Sequence, residues 1–402
     1  MQEAAVLKIK LNVDDETPFW LLSEQYAAAC TWISRYVFDH NFELNSVNLS
    51  KALYSDIRAI FGLKSQMAQS AIRTVTARYA TVATQLEKKP FRFRTEDGKA
   101  YSFQRNLFWL FKPIVFKRPQ ADLVRNRDYS FVDDGGFLSL NTLDGRIRVT
   151  YEVPRAMRKY LDSTWKFGTG KLVNLKGIWY FHISVTKDVA EFTRGDVQRV
   201  VGIDRGLRFL TTTYDSKGKT YFVSGRPILD KRQTFDDVRA ELQAKGTKSA
   251  KRALKRVSGR ENRWMSDVNH RVSKALVRHY GPGTLFVLED LEDISTDERN
   301  FHSSKQTHDL RNWAFYDLES KLSYKATRYG SGVLHVDAYC TSQRCPKCGR
   351  ILKTNRKHNT HEYICDCCGY RSNDDRIGAM NIQLLGTLWV TGMDNPTFRS
   401  KK

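Results

Sequence analysis

Cys345-Pro-Lys-Cys348, then Cys365-Asp-Cys-Cys368, then SNDDRIGAMNI over residues 372–382, is the stretch on which the reading of this chain turns. The two Cys-x-x-Cys pairs stand sixteen residues apart. Four thiolates at such spacing close a tetrahedral shell, so one structural Zn2+ is expected on Cys345, Cys348, Cys365 and Cys368. Gly349 and Gly369 each follow a pair, which suits tight chain reversal. Cys367 is an alternative ligand, although only one residue separates it from Cys365. Cys340 reads as a spare thiol, and His358 and His361 as solvated or facing nucleic acid. The acidic pair Asp374-Asp375 comes within seven residues of the last cysteine.

Working outward, six of the seven cysteines fall between Cys340 and Cys368. A disulfide scaffold spreads its cysteines, so this clustering favours metal in a reducing cytosol. Net charge is +22 and the pI about 9.7, which points to a polyanionic partner such as nucleic acid. The plainer alternative is charge that only keeps the chain soluble. No apolar run approaches the roughly 20 residues that span a membrane, and MQEAAVLKIKL lacks the pattern of a signal peptide.

VLKIKLNV (Val6–Val13) alternates as a strand does, and Thr17-Pro18 opens an amphipathic helix. Cys30 lies on its apolar stripe and reads as a buried small hydrophobe. A helix is expected over 50–61, closed by Gly62, and another from Ser65. In the latter, Ala68, Ile72, Val75, Tyr79, Val82 and Leu86 form a heptad-like seam. Its other face carries Gln66, Gln69, Arg73 and Arg78, a surface for backbone phosphate or simply a solvated face.

From Pro90 to Val185 the pattern is β: FRFR (91–94), YSFQRNLFWLF (101–111), FLSLNT (137–142), GRIRVTY (145–151), KLVNL (171–175) and IWYFHISV (178–185). Asp144-Gly145 and Lys176-Gly177 suit hairpin turns. A small barrel or sandwich is expected, with the first helices inserted or attached. Arg92, Arg94, Arg105, Lys112, Lys117 and Arg118 alternate there with rings, offering charge for phosphates and faces for bases.

VVGIDRGLRFLTTTYD (200–215) reads as strand, turn at Gly206, strand, and TYFVSG as a third strand. Residues 245–278 carry eleven Lys or Arg against Glu261 and Asp267. Lys248, Lys251, Arg252 and Lys255 share one helical face and are expected to contact phosphate. A break near Ser258-Gly259 should divide this basic segment into two helices. A buried strand TLFVLEDL (284–291), a helix over 310–329, a strand GVLHVDA (332–338) and a last helix from about Asp375 to Leu388 follow.

Three strands, helix, strand, helix, strand, helix is the order of an RNase H-like domain, a mixed sheet flanked by helices. In that order Asp204 ends the first strand, Glu289 ends the fourth and Asp375 opens the last helix. Oxygen ligands suit magnesium, and two ions about 3.5–4 Å apart supply what phosphodiester hydrolysis needs. Each acid also has a plain structural reading. Asp204 could pair with Arg205, Glu289 has rivals in Asp290 and Glu292, and Asp374 or Asp375 could cap the helix.

GIDRG (202–206), VLEDL (287–291), YCTSQRCPKCG (339–349) and CDCCGYRSNDDRIGAMNI (365–382) resemble the signatures of TnpB, the RNA-guided nuclease of small insertion sequences. Miniature type V CRISPR nucleases share them, and RNWAFYDLESKLSYKA (311–326) fits the same pattern. The resemblance implies an RNase H-like (RuvC) nuclease over 196–339 and 371–390. Its basic helix pair would lie at about 231–280 and a zinc-ribbon insert at 340–370. It further implies a wedge β-barrel over 1–14 and 90–195, a helical recognition lobe over 15–89, and a polar tail over 391–402.

The implied catalytic acids are Asp204, Glu289 and Asp375, holding two Mg2+. The implied partners are a guide RNA and a double-stranded DNA target with a short flanking motif. The setting would be the cytoplasm of a bacterium or archaeon, at the nucleoid, with a monomer or a homodimer on one guide RNA. Where the family usually shows Asn-Ala-Ala, this chain has Ile377-Gly378-Ala379 with a second acid, Asp374, before it, so Asp374 competes for the third catalytic place. A nuclease-inactive RNA-guided repressor and an autonomous RNase H-like transposase are the competing functions.

Overall fold

Strand-forming alternation at the start of the chain and again after residue 90 builds the first of two compact units, divided between Asp188 and Val189. The computed structural model describes residues 2–117, 120–290, 315–357 and 360–399. Arg118, Glu292, Trp313, His358 and the expected helix start at Leu310 lie outside the described residues.

In the first unit, β1 (Gln2–Asn12) turns Leu7, Ile9 and Leu11 inward. Helices α1 (Thr17–Asp39), α2 (Ser46–Phe61) and α3 (Ser65–Glu87) follow. Glu16 rather than Thr17 is the boundary residue of α1, and Asn45 caps α2 four residues earlier than the apolar pattern implied. Gly62 closes α2 in the left-handed conformation. The expected seam of α3 is buried from Ala68 to Tyr79 and emerges to half-burial at Val82 and Leu86. Cys30 is buried.

A small hairpin comes next, β2 (Phe91–Arg94) with β3 (Ala100–Phe103). The strand expected over 101–111 stops at Phe103, because the Asn106 side chain takes the Phe108 N–H and bends the chain into a short 3-10 turn. Strands β4 (Gln120–Leu123), β5 (Tyr129–Val132), β6 (Phe137–Asn141), β7 (Arg146–Glu152), β8 (Lys166–Leu175) and β9 (Ile178–Asp188) complete a seven-stranded antiparallel sheet, ordered β4-β8-β9-β1-β7-β6-β5. It curls, so that Tyr129 of one edge strand donates to the Gly168 carbonyl of β8 at 2.5 Å. The helices share its core: Phe19, Tyr26, Met67 and Tyr79 belong to the same buried cluster as Leu172, Trp179 and Phe181.

The second unit holds β10 (Arg199–Asp204), β11 (Phe209–Asp215), β12 (Thr220–Ser224), α4 (Arg226–Lys245), α5 (Lys248–Tyr280) and β13 (Thr284–Glu289). Then come α6 (Phe315–Arg328), β14 (Gly332–Val336), three short strands β15 (Arg356–Lys357), β16 (Glu362–Ile364) and β17 (Arg371–Asn373), and α7 (Asp374–Val390). The main sheet runs β12-β11-β10-β13-β14, with β10, β13 and β14 parallel and the β11 and β12 pairings antiparallel. Its two faces differ by strand parity. Val201, Ile203, Phe286 and Leu288 point toward Leu276, Leu318 and Leu322 of α5 and α6, whereas Val200, Leu285 and Val287 point toward Ile382 and Leu385 of α7.

The break expected at Ser258-Gly259 is absent, and α5 runs unbroken for 33 residues. One helical glycine costs only about 1 kcal/mol. The helix pair is parted instead at Gly246, left-handed at φ 61°, and Thr247, whose hydroxyl accepts the Ala250 N–H.

Candidate active site and metal centre

The cysteine pairs fold as two matching turns. Cys345 N–H donates to Arg350 O and Gly349 N–H to Cys345 O; Cys365 N–H donates to Tyr370 O and Gly369 N–H to Cys365 O. Gly349 and Gly369 sit at φ 78° and 68°, the reversal that the sequence pattern anticipated. The four Sγ atoms of Cys345, Cys348, Cys365 and Cys368 all lie within 4.8 Å of one another, with Cys345–Cys368 at 3.7 Å and Cys348–Cys365 at 3.5 Å. Thiolates around one tetrahedral zinc at a Zn–S length of about 2.3 Å stand about 3.8 Å apart, so the cluster is compatible with that ion. Cys367 and Cys340 fall outside the set. Burial pushes the Cys345 thiol up to about 12, while an N–H from Arg350 brings Cys348 down to about 7.

The acids meet by strand parity. Ile203 and Leu288 are register partners on the parallel strands β10 and β13, so Asp204 and Glu289 stand one step beyond them, side by side. Both share the parity of Val200 and Val287, the face that α7 covers. Glycines let that helix come close. A Cβ on Gly202 would meet the Ala379 carbonyl oxygen at 2.2 Å, and one on Gly378 would meet Asp204 Oδ2 at 3.0 Å. Gly378 thus stands where α7 crosses Asp204, which gives the Ile-Gly-Ala sequence a steric reason.

Desolvation, followed by the charges of Glu289 and Asp375, holds the Asp204 carboxyl well above its ordinary value. Burial raises Glu289 as well, opposed by the Thr341 hydroxyl that donates to its Oε1. Asp375 is raised by burial and then by Asp374, with Arg356 opposing. A group of carboxyls that resist ionising together is a poor device for stability and a good one for collecting cations.

The plain readings of Asp204 and of the Asp374-Asp375 pair do not hold. Arg205 does not pair with Asp204; it binds Glu319 at 2.9 Å and donates to the Glu289 carbonyl at 2.6 Å, nearly excluded from solvent. Asn373, not either aspartate, caps α7 by accepting the Arg376 N–H. Asp290 is exposed. The two adjacent aspartates differ: the Asp374 side chain is 1% exposed and paired with Arg356 at 2.9 Å, whereas Asp375 lies 3.4 Å from the same guanidinium at 15% exposure. His361, expected in solvent or facing nucleic acid, packs against this pair with Nδ1 3.6 Å from Asp374 Oδ1, and together with both aspartates it could hold an ion.

Arg356 and Thr341 are the residues that pattern reading missed, and it gave Arg205 a different partner. Arg356 lies on β15, between the cysteine pairs, where one arginine among several gives no signal of its own.

Lys248, Lys251, Arg252 and Lys255 are all exposed on α5, with Ala250 buried behind them. Arg73 and Arg78 are exposed on α3 in the other unit. The face they were expected to share is partly engaged already, since Gln66 accepts from Arg127 at 2.7 Å and Gln69 donates to Ser50 at 2.8 Å. Arg73 borders a hollow of about 250 Å³ lined also by Thr74, Asp122 and Lys171.

A mixed α/β unit of this order, with a four-cysteine insert before its last helix, defines a class, and comparison with known proteins fits that class. Residues 315–382 match the family model described as Cas12f1-like, TNB domain, and residues 182–292 match OrfB_IS605, described as probable transposase. A CRISPR-associated endodeoxyribonuclease Cas12f1 of Syntrophomonas palmitatica is 29% identical over 262 residues, covering 60% of this chain and 50% of that protein. The Cas12f1 of Sulfoacidibacillus thermotolerans is 28% identical, covering 57% and 56%. A TnpB-like protein L79 of Acanthamoeba polyphaga mimivirus is 26% identical, covering 46% and 37%. The chain spans about half the length of the first two of these relatives.

Among solved structures, the Cas12f1-sgRNA-target DNA complex matches with TM-score 0.59 at 14% identity, over 92% of this chain and 82% of that one. The mini-RNA-guided endonuclease CRISPR-Cas_phi3 matches at TM-score 0.54 and 10% identity, over 95% and 92%. These structural matches show a shared fold. The matched models and relatives make the chain similar to TnpB-type and miniature type V proteins. No helix among the described residues is long and apolar enough to cross a membrane.

Proposed function

We propose that this chain is an RNA-guided DNA endonuclease whose RuvC-like (RNase H-like) domain hydrolyses phosphodiester bonds at Asp204, Glu289 and Asp375. The observation that supports the reading is where these acids sit, with the charges of Glu289 and Asp375 both acting on the buried Asp204. Two come from neighbouring parallel strands on one sheet face, and the third from the start of the helix lying on that face. Donor chemistry fits Mg2+: carboxylate oxygens with raised proton affinity, no thiolate among them. Asp204, Glu289 and Asp375 would hold two such ions, which would supply water activation and charge relief at the leaving oxygen.

The chain's own residues do the rest. Asp204 and Glu289 hold ligand oxygens at fixed spacing on β10 and β13. Thr341 orients Glu289 through its hydroxyl, and Arg205 fixes the backbone of the same residue. Arg356 lies 2.9 Å from the 1%-exposed Asp374 and 3.4 Å from the 15%-exposed Asp375, which favours Asp375 as the third acid. The four cysteines hold a structural Zn2+ in a ribbon, and Arg356 of that ribbon reaches the acids.

The first unit acts as wedge and recognition lobe for the guide RNA, with Arg73 and Arg78 beside the nucleic acid. Lys248, Lys251, Arg252 and Lys255 contact backbone phosphate. Support comes from the names of the relatives, endodeoxyribonucleases, and from the solved sgRNA–DNA complex that shares the fold.

The test is to purify the chain with its co-expressed locus RNA, sequence that RNA, and supply a plasmid bearing the matching target with Mg2+. Cutting that depends on both RNA and target is expected. RNA-dependent binding without cutting would make the chain a repressor, and cutting that needs no RNA would make it a transposase-type enzyme.

A further inference from the structure

Hairpin β2–β3 stands apart from the curled sheet as a two-stranded ribbon of its own. Its register pairs Phe91 with Phe103 and Phe93 with Tyr101, so all four rings share one face, while Arg92 and Arg94 occupy the other. Phe93 is nearly parallel to Tyr101, with centroids 5.3 Å apart and 18° between planes, and to Phe103, at 5.9 Å and 4°. Trp109 closes one end, 5.7 Å from Phe91. Even so, Phe91, Phe93, Tyr101 and Phe103 remain 45%, 40%, 43% and 49% exposed. The rings support one another and stay partly open to solvent. Exposed apolar clusters of this kind mark interaction sites.

Charge identifies the occupant. From Lys88 to Lys117 eight Lys or Arg stand against two acids, Glu96 and Asp97. An exposed aromatic cluster on one face of a ribbon whose other face carries Arg92 and Arg94, in a segment this basic, fits an anionic strand with unstacked planar bases better than an apolar protein surface. We infer that the hairpin face of Phe91, Phe93, Tyr101 and Phe103 is a stacking platform for unpaired bases of a single nucleic-acid strand. It reads the base faces and not the sugar, because the aromatic face brings rings and no hydrogen-bonding group for a 2′-hydroxyl apart from the Tyr101 phenol.

The test uses the full chain and strands of about twelve nucleotides, the span of one such site. Three probes are compared: oligouridylate RNA, oligothymidylate DNA, and an abasic DNA strand of equal length, the first two also prepared with 5-iodinated pyrimidines for photo-crosslinking. Expected are adducts on peptide 91–109 from both RNA and DNA, and binding about tenfold weaker for the abasic strand. The double variants F93S/Y101S and F93L/Y101L should both lose the adducts and the preference for bases. The leucine pair keeps apolar bulk in the hairpin, so loss there is not a folding defect. Equal binding of abasic and base-bearing strands, adducts only from RNA, or leucine variants that behave as wild type would overturn the inference. So would sedimentation showing that the ring variants dissolve a dimer while base preference persists.

Discussion

Replacing Gly202 with alanine tests how the sheet and its last helix make the site. The added Cβ would lie 2.2 Å from the Ala379 carbonyl oxygen and 2.3 Å from the Gln383 N, both backbone atoms of α7. Ordinary contact begins at 3.4 Å, so the helix must retreat by about 1.2 Å or the strand must bow. Overpacking of that kind costs about 1–3 kcal/mol. In a unit of this size that lowers Tm by roughly 2–4 °C per kcal/mol. The functional effect should be larger. Asp375 rides on α7 about one turn from Ala379, and a misplacement near 1 Å is worth about 100-fold in rate. The expected result is a folded protein, by circular dichroism, that melts a few degrees lower and cleaves about 100-fold more slowly. Gly378→Ala should be milder for the fold, because its Cβ meets the carboxylate end of Asp204 at 3.0 Å rather than backbone. A Gly202→Ala protein with wild-type melting and wild-type cleavage would refute the packing argument.

Other outcomes follow from the same site. Arg356→Ala strands the buried Asp374, so denaturant unfolding should show a loss of about 3–5 kcal/mol; adding Asp374→Asn should restore most of it, and no restoration would mean the pair is not what holds the segment. Cys348→Ser and Cys365→Ser should each reduce bound zinc from one ion per chain to none by elemental analysis, and should open residues 345–370 to proteolysis while the first unit melts unchanged. Asp204→Asn should stabilise the protein in EDTA at pH 8. The carboxyl's value is raised above 3.8 in the fold by burial and by its neighbours Glu289 and Asp375, so its favourable contribution is complete below that pH and is lost as pH rises through the folded value. The Tm gap between variant and wild type should therefore widen from pH 4 to pH 8, and parallel curves would contradict it.

Residues whose role is set by local pattern were legible without coordinates. The cysteine pairs announce themselves by spacing, and their two glycines by the turn that follows. Val200–Asp204 and Thr284–Glu289 are apolar runs ending in acids, and strand parity alone carries both carboxylates to one face. What stayed hidden depends on long-range contact. Strands β4 and β5 are four residues each and mixed in character, so only their partners define them. The continuity of α5 through Ser258-Gly259 follows from packing that outweighs one glycine. Arg356 is 19 residues from Asp375 in sequence, and its pairing exists only because the ribbon folds back onto the start of α7. His361 reads from its loop position as solvated or facing nucleic acid, and its contact with Asp374 at 3.6 Å is visible only in the fold.

Calorimetric titration of Mn2+ into the metal-stripped protein, followed by the same titration of Asp204→Asn, Glu289→Gln and Asp375→Asn, is the most direct measurement. Joint coordination predicts uptake of two ions by the wild type and a loss of at least one, with weakened binding of the other, in each variant. Wild-type uptake in all three variants would mean that these acids do not share an ion.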